Sequence, residues 1–357
     1  MKENRLGNMD NIQMHERIGL TGASSFLTSQ VLKRLAALSN IKEVHIFDIK
    51  PPTIVSTKFI FHRVDLTKDE ASSSMSSVLI ENKVTAFIHG ALFSGPTRNK
   101  SNHHEVESIG TYHVLNAVAE AQIGRLIVHS ATFVYGAHPK NPNFIHEKYP
   151  LKMQGPHFVR TRVDVENQIQ EFANMYKNCC VTVLRFAPIL GPNSTNVRAR
   201  YFFAGVIPKV LGYDPLVQFI HEDDAVRAEI TALSSQVEGV FNIVGRGVLP
   251  LSTGVHMSGK IPVPFVSAMC RTFFAAGYAS RIWDLPSDIV PFFQFICVGD
   301  AKKAEDILGF ISKYSSRQAL KSMIEANRLR KIGFSMPSST LGEDAAYATS
   351  QGFQQIY

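Results

Sequence analysis

The octapeptide T-G-A-S-S-F-L-T (21–28) follows the short run R-I-G-L-T (17–21) and precedes a stretch with apolar residues at helical spacing, S-F-L-T-S-Q-V-L-K-R-L-A-A-L (25–38). A strand–turn–helix of this kind points backbone N–H groups and the positive end of a helix at a phosphate. Three glycines would serve it best: one for the tight turn, one for approach to a pyrophosphate, one for close helix–strand packing. Gly22 fills the first place, while Ser25 and Thr28 stand in the other two. Serine still offers its N–H and a hydroxyl. Threonine adds a branched side chain where the helix should sit close to the sheet. Asp48 ends the next strand, where a carboxylate accepts from the adenosine ribose 2′-OH; this favours NAD over NADP, and Lys50 leaves NADP open. Asp65-Leu66 follows the third strand, where an adenine would lie, and Gly90-Ala91 follows the fourth, where small residues let a cofactor pass. The expected dinucleotide contacts are therefore Gly22, Ser24, Ser25, Phe26, Leu27, Asp48, Asp65, Leu66, Gly90 and Ala91. Plainer roles stand beside these: a one-glycine turn that binds nothing, and an aspartate that only closes a strand.

Other titratable residues carry no spacing that marks them. His89, His129 and His221 lie near predicted strand ends and read as satisfied core or rim histidines. His138, His146, Glu147 and Lys148 fall in a solvated loop. The cysteines, Cys179, Cys180, Cys270 and Cys297, form no CxxC, which fits thiols kept reduced in a cytoplasmic protein. No cluster suggests a metal.

These residues need elements to hold them. E-V-H-I-F-D (43–48), K-F-I-F-H-R-V-D-L (58–66), V-T-A-F-I-H-G-A (84–91), R-L-I-V-H-S (125–130) and V-T-V-L-R-F-A-P (181–188) read as further strands. H-V-L-N-A-V-A-E-A (113–121) and V-D-V-E-N-Q-I-Q-E-F-A (163–173) read as helices. Alternation of this kind predicts an α/β fold with a doubly wound parallel sheet of Rossmann type and a smaller C-terminal substrate lobe. The expected division is an extension over 1–15, a dinucleotide-binding core over 16–192, a mixed substrate lobe over 193–330 with segments returning to the core, and a weakly ordered Ser/Ala/Gly-rich tail over 331–357.

The chain's 357 residues, 45% of them hydrophobic, suffice for a sizeable core, and a charged fraction of 19% argues against disorder. A net charge of +7 invites a nucleic-acid reading, but lysines and arginines are scattered and no basic stripe interleaved with aromatics occurs, so no nucleic-acid partner is expected. The polar start, M-K-E-N-R-L-G-N-M-D, reads as neither signal peptide nor targeting helix. The apolar stretch 263–283 contains Arg271 and Arg281, which makes it a packed amphipathic helix rather than an integral membrane segment.

Taken together, T-G-A-S-S-F-L (21–27), D-L (65–66), G-T-Y-H-V-L-N-A (110–117), V-H-S-A-T-F-V-Y-G (128–136), V-L-R-F-A-P-I-L-G-P (183–192), Q-F-I-H-E-D-D-A (218–225) and F-N-I-V-G (241–245) resemble the extended short-chain dehydrogenases/reductases, the NAD(P)-dependent epimerase/dehydratase family, as an atypical member. The resemblance covers roughly 16–325. It implies a Rossmann fold, NAD (with NADP open), a small-molecule substrate, a contact from Pro188 and dimerisation through a helical face.

The resemblance also implies a catalytic set, and here the chain departs from it. Family chemistry moves a hydride while a tyrosine, its pKa lowered by a nearby lysine, moves the proton. Aligning V-Y-G (134–136) puts Ala131 at the position of the family's serine or threonine hydroxyl, flanked by Ser130 and Thr132. Aligning V-D-V-E (163–166) puts Phe158 at the tyrosine and Arg162 at the lysine. Phenylalanine has no proton to give; arginine could still bond ribose hydroxyls but is a poor relay. Glu107 stands where an asparagine usually belongs to a water relay. No other Y-x-x-x-K is at hand, since Tyr149 is followed four residues on by Met153. Thr132 could substitute if a bend at the strand end turns it toward the site. The expectation is an NAD(P)-binding protein that does not perform Tyr/Lys hydride-transfer chemistry. The alternative is an active oxidoreductase or nucleotide-sugar epimerase/dehydratase with a rearranged acid, and a third reading has cofactor binding lost through crowding by Thr28.

Overall fold

A computed structural model describes residues 15–93, 95–96, 100–194, 196–282 and 285–331. The expected N-terminal extension, except its last residue, and nearly all of the tail lie outside the described residues. Among the described residues, β1 (Arg17–Thr21), β2 (Glu43–Asp48), β3 (Phe59–Arg63), β4 (Ala86–His89), β5 (Arg125–Ala131), β6 (Cys180–Phe186) and β7 (Gly239–Ile243) form one sheet. All neighbours pair in parallel, in the order β3-β2-β1-β4-β5-β6-β7. Parallel strands need crossovers that cover both faces, which is why the interior strands are apolar on both sides.

Helices α1 (Phe26–Ala37), α2 (Ala71–Glu81), α3 (Gly110–Glu120), α4 (His157–Met175), α5 (Val197–Phe203), α6 (Glu222–Ser234), α7 (Ser267–Ala279) and α8 (Ser316–Lys331) carry the argument below. On one face Leu27, Val31 and Leu35 of α1 and Ala225, Ala228 and Ala232 of α6 pack over Ile18, Leu20 and Ile46. On the other, Met75 and Leu79 of α2, Val114 and Val118 of α3, and Val165, Ile169 and Phe172 of α4 cover Phe47, Phe87 and Val128. A third apolar cluster joins Phe158 and Val163 to residues of the second half of the chain, among them Phe202, Phe219, Phe274 and Phe293. The chain thus returns to the sheet with β7 after leaving it at β6.

Two details differ from the sequence expectation. Pro262–Phe265 is a strand paired in parallel with Ile207–Val210, so the expected helix begins only at Ser267. Two prolines in P-V-P-F each lack a donor N–H, which suits an edge pairing and not a helix interior. The helix leading into α3 also starts earlier than its apolar spacing suggests, through Lys100–His104 and a wide π-type turn at Glu105–Ile109. No helix among the described residues is long and apolar enough to cross a membrane.

Candidate cofactor and ligand site

The strand order reverses direction between β1 and β4, and a cavity of about 700 Å³ opens there, beyond the carboxyl ends of the strands. All of the expected dinucleotide contacts line it: Gly22, Ser24, Ser25, Phe26 and Leu27 from the first turn, Asp48, Asp65, Leu66, Gly90, Ala91, Arg162 and Pro188. Ala131, Thr132 and Phe158 line it as well.

The first turn fits a dinucleotide through backbone shape. Gly22 has φ +76°, and a methyl group there would collide with the backbone of Gly90 and Ala91. Ser25 caps α1: its Oγ accepts from Thr28 N at 3.3 Å and donates to Thr28 Oγ1 at 2.8 Å. Thr28 is fully buried. Its hydroxyl lies over Gly90, in the space that a side chain at that position would need. Thr28 thus sits against a glycine just after β4. Asp48, at the rim, takes Ser24 N and Ser24 Oγ on Oδ2, both at 3.1 Å, and Ile49 N on Oδ1 at 2.7 Å. Lys50 is exposed and does not line the cavity.

The other half of the site is aromatic. Phe158 is buried in α4, edge to face with Phe133 at 5.1 Å and tilted against Phe292 at 5.9 Å. One turn on, on the same face of the helix, lies Arg162. Its Nη2 donates to Glu107 Oε1 at 2.5 Å and to Phe93 O at 2.8 Å, and its Nε reaches Glu107 Oε2 at 3.3 Å. Its guanidinium also stands over Phe133, 5.3 Å from the ring centroid. Glu107 sits in the π-type turn, fully buried, and accepts from Phe93 N at 2.7 Å; His103 Nε2 lies 3.1 Å away. Burial alone would raise the Glu107 carboxyl, but the Arg162 charge and the His103 contact outweigh it and hold it below the usual carboxylate range. Glu107 and Arg162 are therefore one buried ion pair.

Neither a tyrosine nor a lysine lines the cavity among the described residues. The other candidates for proton transfer are engaged. Ser130 donates to Glu166 Oε1 at 2.6 Å, on the side where Arg185 holds the same carboxylate. Tyr135 donates to Asn242 Oδ1 at 2.7 Å, and burial pushes its phenol up to about 12. His129 Nε2 pairs with Glu229 at 2.9 Å. His89 lies between the Thr21 and Thr111 hydroxyls at 2.8 and 3.0 Å, and burial, then the His129 and Arg162 charges, bring it down to about 3. His221 caps α6 through Asp223 N and does not line the cavity. His138, His146, Glu147, Lys148 and His157 are likewise not among its lining residues. Thr132 is different. β5 ends at Ala131, the chain tightens into a helical turn at Thr132–Tyr135, and the Thr132 hydroxyl has no hydrogen-bond partner among the described residues.

Several lining residues carried no sequence signal: Phe133, Arg198, Phe292, Phe295 and Cys297. They come from loops and short elements whose contacts are long in sequence, and no spacing links them.

A model of the NAD-dependent epimerase/dehydratase family matches residues 18–244. The chain belongs to the NAD-dependent epimerase/dehydratase family. Among curated relatives, the "uncharacterized protein Rv0501" of Mycobacterium tuberculosis is 24% identical over 88% of this chain and 84% of its own. Short-chain dehydrogenase/reductase family 42E member 1 of Danio rerio is 28% identical over 57% of this chain and 55% of its own. Among solved structures, MoeE5 in complex with UDP-glucuronic acid and NAD superposes with a TM-score of 0.68 at 19% identity, covering 88% of this chain and 99% of that one. DesIV, a dTDP-glucose 4,6-dehydratase from Streptomyces venezuelae with NAD and TYD bound, does so with a TM-score of 0.69 at 17% identity over 88% and 98%. These likenesses establish the shared fold.

Proposed function

We propose that this family member binds NAD(H) at the β1–β4 crossing and a small molecule beside it, without the tyrosine–lysine proton transfer of its relatives. One observation carries the reading: where the phenol and ammonium would stand, Phe158 is part of an aromatic wall and Arg162 is tied to Glu107. Support for the cofactor comes from the close backbone approach of Gly22 to Gly90 at the cavity wall, the N–H groups at the start of α1 and the Asp48 carboxylate at the rim. When bound, NAD supplies or accepts a hydride. Toward it this chain would offer Gly22, Ser24 and Ser25 at the pyrophosphate and Asp48 at the ribose. A carboxylate there repels a 2′-phosphate, so NAD binds more tightly than NADP. Loss of a general acid typically costs about 10²- to 10⁴-fold in rate.

Calorimetry checks the binding: no heat with NAD(H) or NADP(H) at millimolar concentration would sink it. The catalytic part is checked by comparing wild type with the combined Ala131→Ser, Phe158→Tyr, Arg162→Lys variant. Substrate-dependent NAD reduction by the wild type as fast as by that variant contradicts the reading. The unpaired hydroxyl of Thr132 favours a second reading, an active enzyme in which Thr132 orients the substrate oxygen; Thr132→Val then abolishes any turnover found.

A further inference from the structure

Beyond Thr132 the cavity is lined by Phe133, Phe158, Phe219, Ile289, Phe292 and Phe295. The side-chain amides that border this half are already bonded to their own chain. Asn196 Oδ1 caps α5 by accepting from Ala199 N at 3.0 Å, and its Nδ2 donates to Ile189 O at 2.5 Å. Gln218 accepts from Gly299 N at 2.9 Å and donates to Gly299 O at 3.2 Å. The Cys297 thiol donates to Thr132 O at 3.3 Å, and burial pushes it up to about 12, so it stays neutral.

Arg198 is the exception. It enters the same cavity from α5, and its Nη1 is enclosed with no hydrogen-bond partner. Among the described residues its guanidinium makes no hydrogen bond or ion pair, and it stands over the face of Phe293, 5.6 Å from the ring centroid. A partly buried cation without a counter-ion has lost some of its hydration, and a ring face recovers only part of that loss. Burial accordingly pulls the Arg198 pKa down. An anionic group in the cavity would complete it. The free side-chain polar groups of this half are then one guanidinium and the Thr132 hydroxyl, few for the several hydroxyls of a sugar.

We propose that this half of the cavity binds a small carboxylic acid with an apolar or aromatic body, its carboxylate on Arg198 and its body among the phenylalanines. The proposal names the ligand class for the small-molecule site of the reading above and rests on that reading. It is tested by calorimetry on the full chain, with and without saturating NAD⁺, using 3-phenylpropionate, cinnamate and octanoate, their primary amides, and UDP-glucose. At least one acid is expected to bind about 10- to 100-fold more tightly than its amide, the difference a charge-assisted hydrogen bond makes. UDP-glucose should not compete with it. Arg198→Gln should bring the acid down to its amide's affinity and leave the amide unchanged, and Arg198→Lys should restore part of the difference. The proposal is overturned if no acid outbinds its amide, if UDP-glucose binds in preference to all the acids, or if Arg198→Gln weakens acid and amide alike. The wild-type comparison of acid with amide decides even if a variant fails to fold. NAD⁺ titrated alone separates the two readings: intact NAD⁺ binding without acid selectivity removes only the carboxylate assignment, and acid selectivity without NAD⁺ binding removes only the cofactor.

Discussion

Two arginines line one cavity, and they differ in what holds them. Arg162 is almost fully buried and carries its counter-ion, Glu107, in the fold. Arg198 is partly exposed, has an enclosed nitrogen and carries no acidic partner among the described residues. A buried cation with a built-in carboxylate is a structural device: its charge is neutralised before any ligand arrives. A cation without one waits for an external anion. On the proposal above, the recognition of charge lies on the second-half side of the cavity, away from α4.

The comparison can be broken at its strongest point first. Glu107→Ala strands the Arg162 guanidinium in the interior, and urea unfolding should show a loss of about 3–5 kcal/mol. A loss near zero would mean that Arg162 is no more tied down than Arg198. Replacing both Glu107 and Arg162 by methionine should cost far less than Glu107→Ala, because no charge is left unpaired; the same unfolding experiment measures it.

A third test uses His89, whose fall to about 3 owes part of its cause to Arg162. A histidine depressed in the folded state stays neutral there while the unfolded chain takes up a proton below pH 6.5. Its contribution to stability is therefore present above pH 6.5 and is lost as the pH falls toward 3. His89→Gln should reduce the slope of stability against pH between 6 and 4 by about 1.4 kcal/mol per unit. The smallest effect is expected at Arg198: Arg198→Met should leave stability unchanged or raise it by about 1 kcal/mol. A loss as large as that of Glu107→Ala would show a counter-ion in the free protein and end the contrast.

Strand–helix alternation and the turn at Gly22 made the doubly wound parallel sheet and the lining of the cofactor half legible in the sequence, because these depend on local period and on glycine shape. Phe158 and Arg162 are placed only through the family resemblance, by alignment on V-D-V-E. What Arg162 does could not be read that way. Glu107 lies 55 positions away, and only the packing of α4 against the π-type turn brings the two together. Thr28 could not be read from its own neighbours because the residue it faces across the gap, Gly90, follows another strand, β4. The P-V-P-F strand was hidden in an apolar run whose two prolines were the signal. Arg198 had no signal at all, since what distinguishes it is the absence of a partner.

The π-type turn at Glu105–Ile109 has a consequence for chain length. Such a turn holds one residue more than an α-helical turn in the same rise. Deleting a single residue before Glu107 within it would restore regular winding and swing the preceding residues by about 100° relative to α3. His103 and the segment around Phe93 would then lose their register with Glu107 and Arg162. The Glu–Arg pair and the extra residue should therefore travel together among homologues, so that the number of residues between β4 and α3 becomes a marker, countable in any sequence, for which relatives hold their helix cation in this way.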